Sequence, residues 1–175
     1  MNKKKAIDIK AFQREYKKKK SILSPFIRNI HRRKIKGLKS KIKSTSEEVW
    51  KEIDCTSCAN CCKSMTPTFT KADIKRVASH LQIGQQEFIA RYLEKDDEGK
   101  DWVNRKRPCQ FLGADNLCSI YEVRPYDCKG FPHLKHTRWM DQREVFETNM
   151  EYCPATLRMV EIMFEKVTEK SVTHR

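Results

Sequence analysis

Glycine is scarce and long apolar runs are missing from this chain of 175 residues. No two of the five glycines lie close enough together to form a loop that cradles a nucleotide phosphate. No apolar run is long enough to cross a bilayer, and the lysines at the start have no continuous apolar segment behind them. We therefore expect a cytoplasmic protein, in a compartment where disulfides are rare.

Acidic residues are almost absent from the first 45 positions, which hold 17 Lys and Arg and two acids. Residues 46–175 hold 20 Lys and Arg and 21 acids, so the net charge of +14 belongs to the front of the chain. This contrast predicts two parts: a basic, helical N-terminal arm over residues 1–45, and a nearly neutral domain over residues 46–175.

The basic arm has two interpretations. In the first, an amphipathic helix lays its apolar residues on the domain while its charges face water. In the second, residues 1–45 contact phosphate, either in a nucleic acid or at an anionic membrane surface. The aromatic residues of the arm are too few to suggest a base-stacking platform: Phe12, Tyr16 and Phe26.

Helix signals recur along the chain. Ser24-Pro25 has the form of a helix start, and the helix it opens is predicted to break near Gly37. The polar run at residues 44–48 predicts a short joint. Thr70-Lys71-Ala72-Asp73 has the form of a capping box and opens a helix. Further helices are predicted near residues 85–93 and after Pro154.

Strand signals are few. Trp102-Val103 predicts a short strand after the loop at residues 96–101. Residues 109–112 and 117–121 flank a four-residue turn and predict a small β-hairpin. The predicted fold class is therefore mainly α with a small β-hairpin, in a compact cysteine-cluster domain that is stabilised by metal.

Cysteine, in contrast, is abundant. Four of the eight cysteines fall in the run Cys55-Thr56-Ser57-Cys58-Ala59-Asn60-Cys61-Cys62, and the others are Cys109, Cys118, Cys128 and Cys153. Two successive Cys-x-x-Cys steps put sulfurs on one short turn, where a tetrahedral ion or an iron–sulfur cluster can be held. We therefore predict that all eight cysteines are metal ligands.

The sequence does not decide between zinc and iron. Cys-x2-Cys-x2-Cys is the opening of a bacterial ferredoxin run, whereas zinc needs only four thiolates. Neighbouring side chains are expected to point apart, so the adjacent pair Cys61-Cys62 predicts two nearby sites or a multi-metal cluster. His133, and His136 three residues later, are candidates for an additional ligand or for a group that orients one.

An ordered set of these residues resembles a known family. The set comprises Cys55-x2-Cys58-Ala59-x-Cys61-Cys62, Cys109-x-Phe111-Leu112, and Cys118-Ser119-Ile120-Tyr121-Glu122-x-Arg124-Pro125-x2-Cys128-x2-Phe131-Pro132. It is similar to the YkgJ-type cysteine-cluster family, the CxxCxxCC zinc- or iron-chelating domain, over about residues 55–132. Ala59 stands where that family often has Gly, and Gln110 where it often has Pro.

The resemblance implies chelation of zinc or iron and leaves the biochemical role open. A similar cysteine cluster occurs in flagellin lysine N-methylases, which raises the alternative of an iron–sulfur enzyme or accessory factor. Those enzymes are larger, and this chain lacks a glycine-rich cofactor loop. The sequence therefore favours a metal-binding protein over an enzyme.

Overall fold

The structure, a computed structural model, describes residues 7–134 and 142–172. This part of the chain is mainly helical with one small antiparallel sheet, which confirms the predicted fold class. The chain divides into unit 1, residues 1–58 and 132–175, and unit 2, residues 59–131. The boundary between an arm at residues 1–45 and a domain at residues 46–175 stays a prediction.

Eight α-helices and three strands make up the described residues. In chain order the helices are α1 (Ile9–Asn29), α2 (Leu38–Glu52), α3 (Asn60–Ser64), α4 (Lys71–His80), α5 (Gln85–Tyr92), α6 (Tyr126–Gly130), α7 (Arg143–Tyr152) and α8 (Pro154–Val172). The strands are β1 (Thr68–Phe69), β2 (Leu93–Lys95) and β3 (Trp102–Asn104). Short 3-10 turns occur at Ile30–Arg32 and Tyr121–Val123. No helix in these ranges is long and apolar enough to span a bilayer.

Unit 1 contains α1, α2, α7 and α8. Helix α1 packs on α7 and α8, and α2 packs on α8. The side chains that they bury are mostly apolar, and Phe26 meets Phe164 edge-to-face with ring centroids 5.3 Å apart. Because α1 and α2 bury their apolar faces in this core, their lysines and arginines lie at the surface.

The predicted helix start at Ser24-Pro25 is wrong, because α1 runs continuously through both residues. Proline removes the hydrogen bond that its nitrogen would donate to the carbonyl of Ser21. Ser21 and Pro25 are both exposed, so water can satisfy that carbonyl. The helix instead gives way to the 3-10 turn after Asn29, and Gly37, at φ +69°, precedes α2. The predicted break near Gly37 is therefore confirmed.

The predicted joint at residues 44–48 is also wrong, since these residues lie inside α2. Thr45 and Ser46 are buried on the same face as Ile42 and Val49. Thr45 Oγ1 accepts a hydrogen bond from Lys166 Nζ at 3.1 Å. Thr45, in a run that looks like a linker in the sequence, therefore faces the interior of unit 1, where this partner outweighs its weak helix propensity.

Unit 2 is organised around a three-stranded sheet of order β1-β3-β2, antiparallel throughout. Phe88 of α5 is fully buried, and its ring lies parallel to that of Phe111 with centroids 6.3 Å apart. Phe69 and Tyr92 also contact Phe88. This aromatic cluster joins residues that are distant in sequence, and Cys109 and Cys118 pack against it.

The local predictions for unit 2 are mostly confirmed. The capping box at Thr70 and Asp73 opens α4, and α5 ends at Tyr92. The strand at Trp102 pairs with β2 across the loop at residues 96–101. The predicted hairpin at residues 109–121 is reduced to one antiparallel bridge between Leu112 and Cys118, because the tight turn at Gly113 leads directly into a 3-10 turn.

Phe88→Ala should lower the free energy of unfolding by about 3–5 kcal/mol, since it removes a buried ring and leaves a cavity. Urea unfolding would measure the change. Ile22→Ala is the control: that side chain is 56% exposed, and its loss should change stability by no more than about 0.5 kcal/mol. Equal effects of the two substitutions would contradict the packing described for unit 2.

Candidate metal centre

The first two cysteines lie on one turn of unit 1. The Cys58 amide donates to the carbonyl of Cys55 at 3.2 Å. Asp54 precedes the turn, and its Oδ1 accepts from the amide of Thr56 at 3.0 Å and from its hydroxyl at 2.8 Å. Cys55 is exposed, whereas Cys58 is buried. The turn therefore presents only the first of the two cysteines at the surface.

Cys61 and Cys62 lie on α3, in unit 2. Ala59, at φ 49°, is the residue before this short helix. The two sulfurs are 3.9 Å apart, so the expectation that adjacent side chains point apart is wrong. Successive helix positions differ by about 100°, which allows the two side chains to lean toward each other. Four thiolates at about 2.3 Å from a zinc ion lie about 3.8 Å from one another, so this pair has the spacing of one edge of such a site.

Four cysteines of unit 2 come from separate parts of its chain. The amide of Cys109 donates to the carbonyl of Cys62 at 2.8 Å, which ties the loop before Cys109 to α3. Cys118 pairs with Leu112 through the bridge, and the Leu112 amide donates to the carbonyl of Cys109 at 3.0 Å. Cys128 lies on α6, which packs beside β1. We call these four residues, Cys62, Cys109, Cys118 and Cys128, the unit 2 thiols.

The unit 2 thiols influence one another's ionisation. Burial raises the pKa values of Cys109, Cys118 and Cys128, and repulsion by neighbouring thiolates raises them further. The hydrogen bond with the Cys61 thiol lowers the pKa of Cys62 to about 7. The repulsion acts on Cys128 from each of the other three, so the four groups are electrostatic neighbours.

A buried carboxylate holds the segment that leads to Cys128. Asp73 accepts hydrogen bonds from Thr70, from the guanidinium of Arg76 and, at 3.1 Å, from the amide of Tyr126. Arg76 also donates to the carbonyl of Val123 at 3.2 Å and to that of Arg124 at 2.9 Å. Asp73 and Arg76 therefore fasten residues 123–126 to α4, immediately before α6.

The third cysteine of unit 1 is Cys153, buried between α7 and α8. Burial raises its pKa, and charge on Cys58 raises it further. His133 belongs to the same unit, where it is half-buried at a backbone φ of 62°. His136 lies outside the described residues.

Sequence reasoning identified the cysteines but missed the polar groups around them. Asp73 stood out only as part of a capping box, and Arg76 and Asn104 gave no local signal. Asn104 is 1% exposed, and its Nδ2 donates to Cys109 Sγ at 3.1 Å.

The donor set fits a thiophilic metal. Thiolates are preferred by zinc and by iron–sulfur clusters, and hard cations prefer oxygen. In the residues that the structure describes, no group of three or more His, Cys, Asp or Glu side chains already has ligating geometry.

Comparison with known proteins identifies the family. A family model described as "CxxCxxCC: Putative zinc- or iron-chelating domain" matches residues 54–154, more than half of the chain. The chain belongs to the CxxCxxCC family. The match confirms the predicted resemblance and extends beyond residue 132 to include Cys153.

The chain is also similar to a protein that is itself uncharacterized. An uncharacterized protein of Methanocaldococcus jannaschii is 32% identical over 94 residues, which are 48% of this chain and 46% of that protein. The chain therefore spans about half of the length of the relative it matches. No solved structure matches this CxxCxxCC protein.

Asp73→Asn should lower the free energy of unfolding at pH 7 by about 1.5–3 kcal/mol, because hydrogen bonds to a buried charge are lost. Burial opposes ionisation of Asp73, but the bonds from Thr70 and Arg76 outweigh it and hold the pKa of the carboxyl below its ordinary value of 3.8. The contribution is therefore complete above pH 3.8 and lost as the pH falls through the lower, folded-state value.

Urea unfolding of the wild type and Asp73→Asn at neutral and acidic pH would test this. The gap between them should shrink in acid. Asp97→Asn, in an exposed loop, is the control and should leave stability unchanged at both pH values. A gap that stays constant with pH would contradict the role given to the Asp73 charge.

Proposed function

We propose that this protein binds a thiophilic metal, zinc or iron, in unit 2 through Cys62, Cys109, Cys118 and Cys128. The supporting observation is that unit 2 ties these segments together, through the hydrogen bond from the Cys109 amide to the Cys62 carbonyl and the bridge at Cys118, and that charge on Cys62 opposes ionisation of the other three thiols. Four ionised sulfurs in a partly buried cluster are unfavourable by themselves, and a cation relieves that repulsion. Four thiolates around divalent zinc leave a net charge of about −2.

The proposal extends to the remaining cysteines. Cys55, Cys58 and Cys153 belong to unit 1 and form a second set, supported by the turn between Cys55 and Cys58 and by the repulsion between Cys58 and Cys153. Cys61 lies beside Cys62 and completes the eight proposed ligands. His133 is a candidate to orient or complete the unit 1 set.

The role of the metal depends on its identity. Zinc would cross-link chain segments and contribute to folding. An iron–sulfur cluster would add one-electron chemistry. In either case the residues of this chain supply the donors, and Asp73 and Arg76 hold the segment before Cys128. We propose a metal-stabilised binding protein with no catalytic residue assigned.

Anaerobically purified protein should contain zinc or iron, and Cys128→Ser should lose metal from unit 2. Metal analysis, acid-labile sulfide and the visible spectrum measure this: a brown colour and sulfide indicate iron–sulfur, and zinc gives neither. Cys153→Ser should lose metal from the unit 1 set. If each unit holds one ion, each single variant should therefore retain about half of the bound metal.

Ser57→Ala is the matched control, because its hydroxyl lies in the cysteine-rich run but donates only to the Asp54 carbonyl. It should retain all of the metal. Chelation of the wild type should also reduce its helical circular dichroism, since the metal links segments of each unit. A cooperative, fully folded apoprotein would refute the stabilising role, and metal retained by both cysteine variants would refute the ligands.

A second function, binding of nucleic acid, is favoured by the basic surface of α1, α2 and the segment between them, residues 30–37. No acidic residue occurs between Tyr16 and Ser46, a stretch that holds 12 Lys and Arg. Arg32, Arg33, Lys34 and Lys36 are exposed, and within the described residues they make no ion pair. The apolar faces of both helices are buried, which leaves little to insert into a membrane. We propose that this basic surface contacts nucleic acid phosphates.

The triple variant of Arg32, Lys34 and Lys36 to Ser should weaken binding to a fluorescent RNA or DNA oligonucleotide. If three phosphate contacts are lost, the slope of log affinity against log salt should fall by about three units. The control converts three exposed cations of unit 2 to Ser, namely Lys71, Lys75 and Lys106, and changes the net charge equally.

Fluorescence anisotropy across a salt series measures both variants. Equal losses in the two triple variants would mean that net charge alone acts. Binding to anionic vesicles but to neither oligonucleotide would replace nucleic acid with a membrane surface as the partner. Binding that does not respond to salt would reject the phosphate contact altogether.

A further inference from the structure

Two side-chain amides form a directed chain of hydrogen bonds that ends on a proposed ligand. Gln110 Nε2 donates to the backbone carbonyl of Tyr92 at 3.1 Å and to Asn104 Oδ1 at 3.0 Å. Asn104 Nδ2 in turn donates to Cys109 Sγ at 3.1 Å. These hydrogen bonds therefore link the Tyr92 carbonyl to the Cys109 sulfur through the side-chain amides of Gln110 and Asn104.

The Tyr92 carbonyl fixes the orientation of both side-chain amides. The Tyr92 carbonyl can only accept, so Gln110 must turn its NH2 group toward it. The same NH2 group then faces Asn104, which must present its oxygen to Gln110. Asn104 is left with its NH2 group toward Cys109. Reversing either amide would place two donors or two acceptors against each other.

Asn104 is held firmly in this position. It lies in β3, opposite Leu93 of β2 in the sheet register, and only 1% of its surface is exposed. The amide of the next residue, Arg105, donates to the same Tyr92 carbonyl at 3.0 Å. A side chain fixed by a strand and by a second amide keeps its donor aimed at one point.

An N–H group aimed at a sulfur favours the charged, metal-binding form of that sulfur. A neutral thiol is a weak acceptor, whereas a thiolate gains a charge-assisted hydrogen bond. The bond is stronger in a buried, water-poor setting than at the surface. Partners that orient a metal ligand in this way affect affinity although they do not touch the metal.

We propose that Asn104 is a positioning residue that donates to the Cys109 thiolate in the metal-bound protein, and that Gln110 sets its orientation. This inference rests on the proposed metal site of unit 2. It adds two residues that no cysteine pattern reveals. It gives Cys109 a side-chain amide donor beside the backbone of Phe111.

Cobalt(II), added alone to the reduced, metal-free full-length protein, is the probe. Asn104→Leu removes the donor and Asn104→Asp replaces it with an anion. Both should weaken cobalt binding about 10–100-fold, Asn104→Asp more than Asn104→Leu. Loss of the hydrogen bond should also move the sulfur-to-cobalt charge-transfer band to lower energy, a shift that a purely structural defect would not produce. Gln110→Ala should change both readouts in the same direction and less.

Ser119→Ala is the matched control. The Ser119 hydroxyl donates to the Phe111 carbonyl at 3.2 Å beside Cys118 and touches no sulfur, so its loss should leave the band and the affinity unchanged. If the Asn104 variants fail to fold, the same measurements on Gln110→Ala test the proposal.

NMR of the metal-free wild type gives a second readout. Cys109→Ala should shift the side-chain amide signals of Asn104, and Ser119→Ala should not.

The outcomes separate the two proposals. A wild type that binds no cobalt would reject the unit 2 metal site, and with it the role of Asn104 in the metal-bound protein. A wild type that binds cobalt, with Asn104 and Gln110 variants equal to it in affinity and band position, would reject the positioning role alone. Wild-type-like amide signals in Cys109→Ala would reject the hydrogen bond itself.

Discussion

The cost of ionising buried thiols is the constraint that any metal bound in unit 2 must overcome. Cys62, Cys109, Cys118 and Cys128 come from four segments, and burial together with charge on Cys62 opposes ionisation of the other three. Among the described residues, Cys62 shares a hydrogen bond with the Cys61 thiol and Cys109 accepts one from the Asn104 amide. A cluster of this kind is stable when protonated or when a cation holds it together, and its family is described by zinc or iron chelation.

Two kinds of contact hold the segments around the thiols: apolar packing and directed hydrogen bonds. Phe88 and its aromatic neighbours bring α5, β1 and the Cys109 loop together without directional preference. Asp73 and Arg76 then fix residues 123–126 by directed hydrogen bonds. The apolar contacts supply most of the driving force, and the buried ion pair specifies the position of one segment, at the cost of desolvating a carboxylate.

In unit 1 the charge pattern follows from packing. Helices α1 and α2 bury their apolar residues against α7 and α8, so their lysines and arginines are exposed together. The exposed set is therefore a by-product of the core as well as a candidate surface for polyanions. Net charge describes this surface poorly, because residues 46–175 carry nearly equal numbers of both signs.

Local signals in the sequence determined much of this protein: the capping box at Thr70, the helix after Pro154, the strand at Trp102, and the eight cysteines with their family. These features depend on residues a few positions apart, where backbone chemistry acts directly. Tertiary structure alone decided that α1 continues through Pro25, that Thr45 faces a core, and that Cys61 and Cys62 incline toward each other. It also decided that Asn104 meets Cys109 and that Asp73 holds Tyr126, since burial and side-chain direction depend on contacts between distant segments that no local pattern encodes.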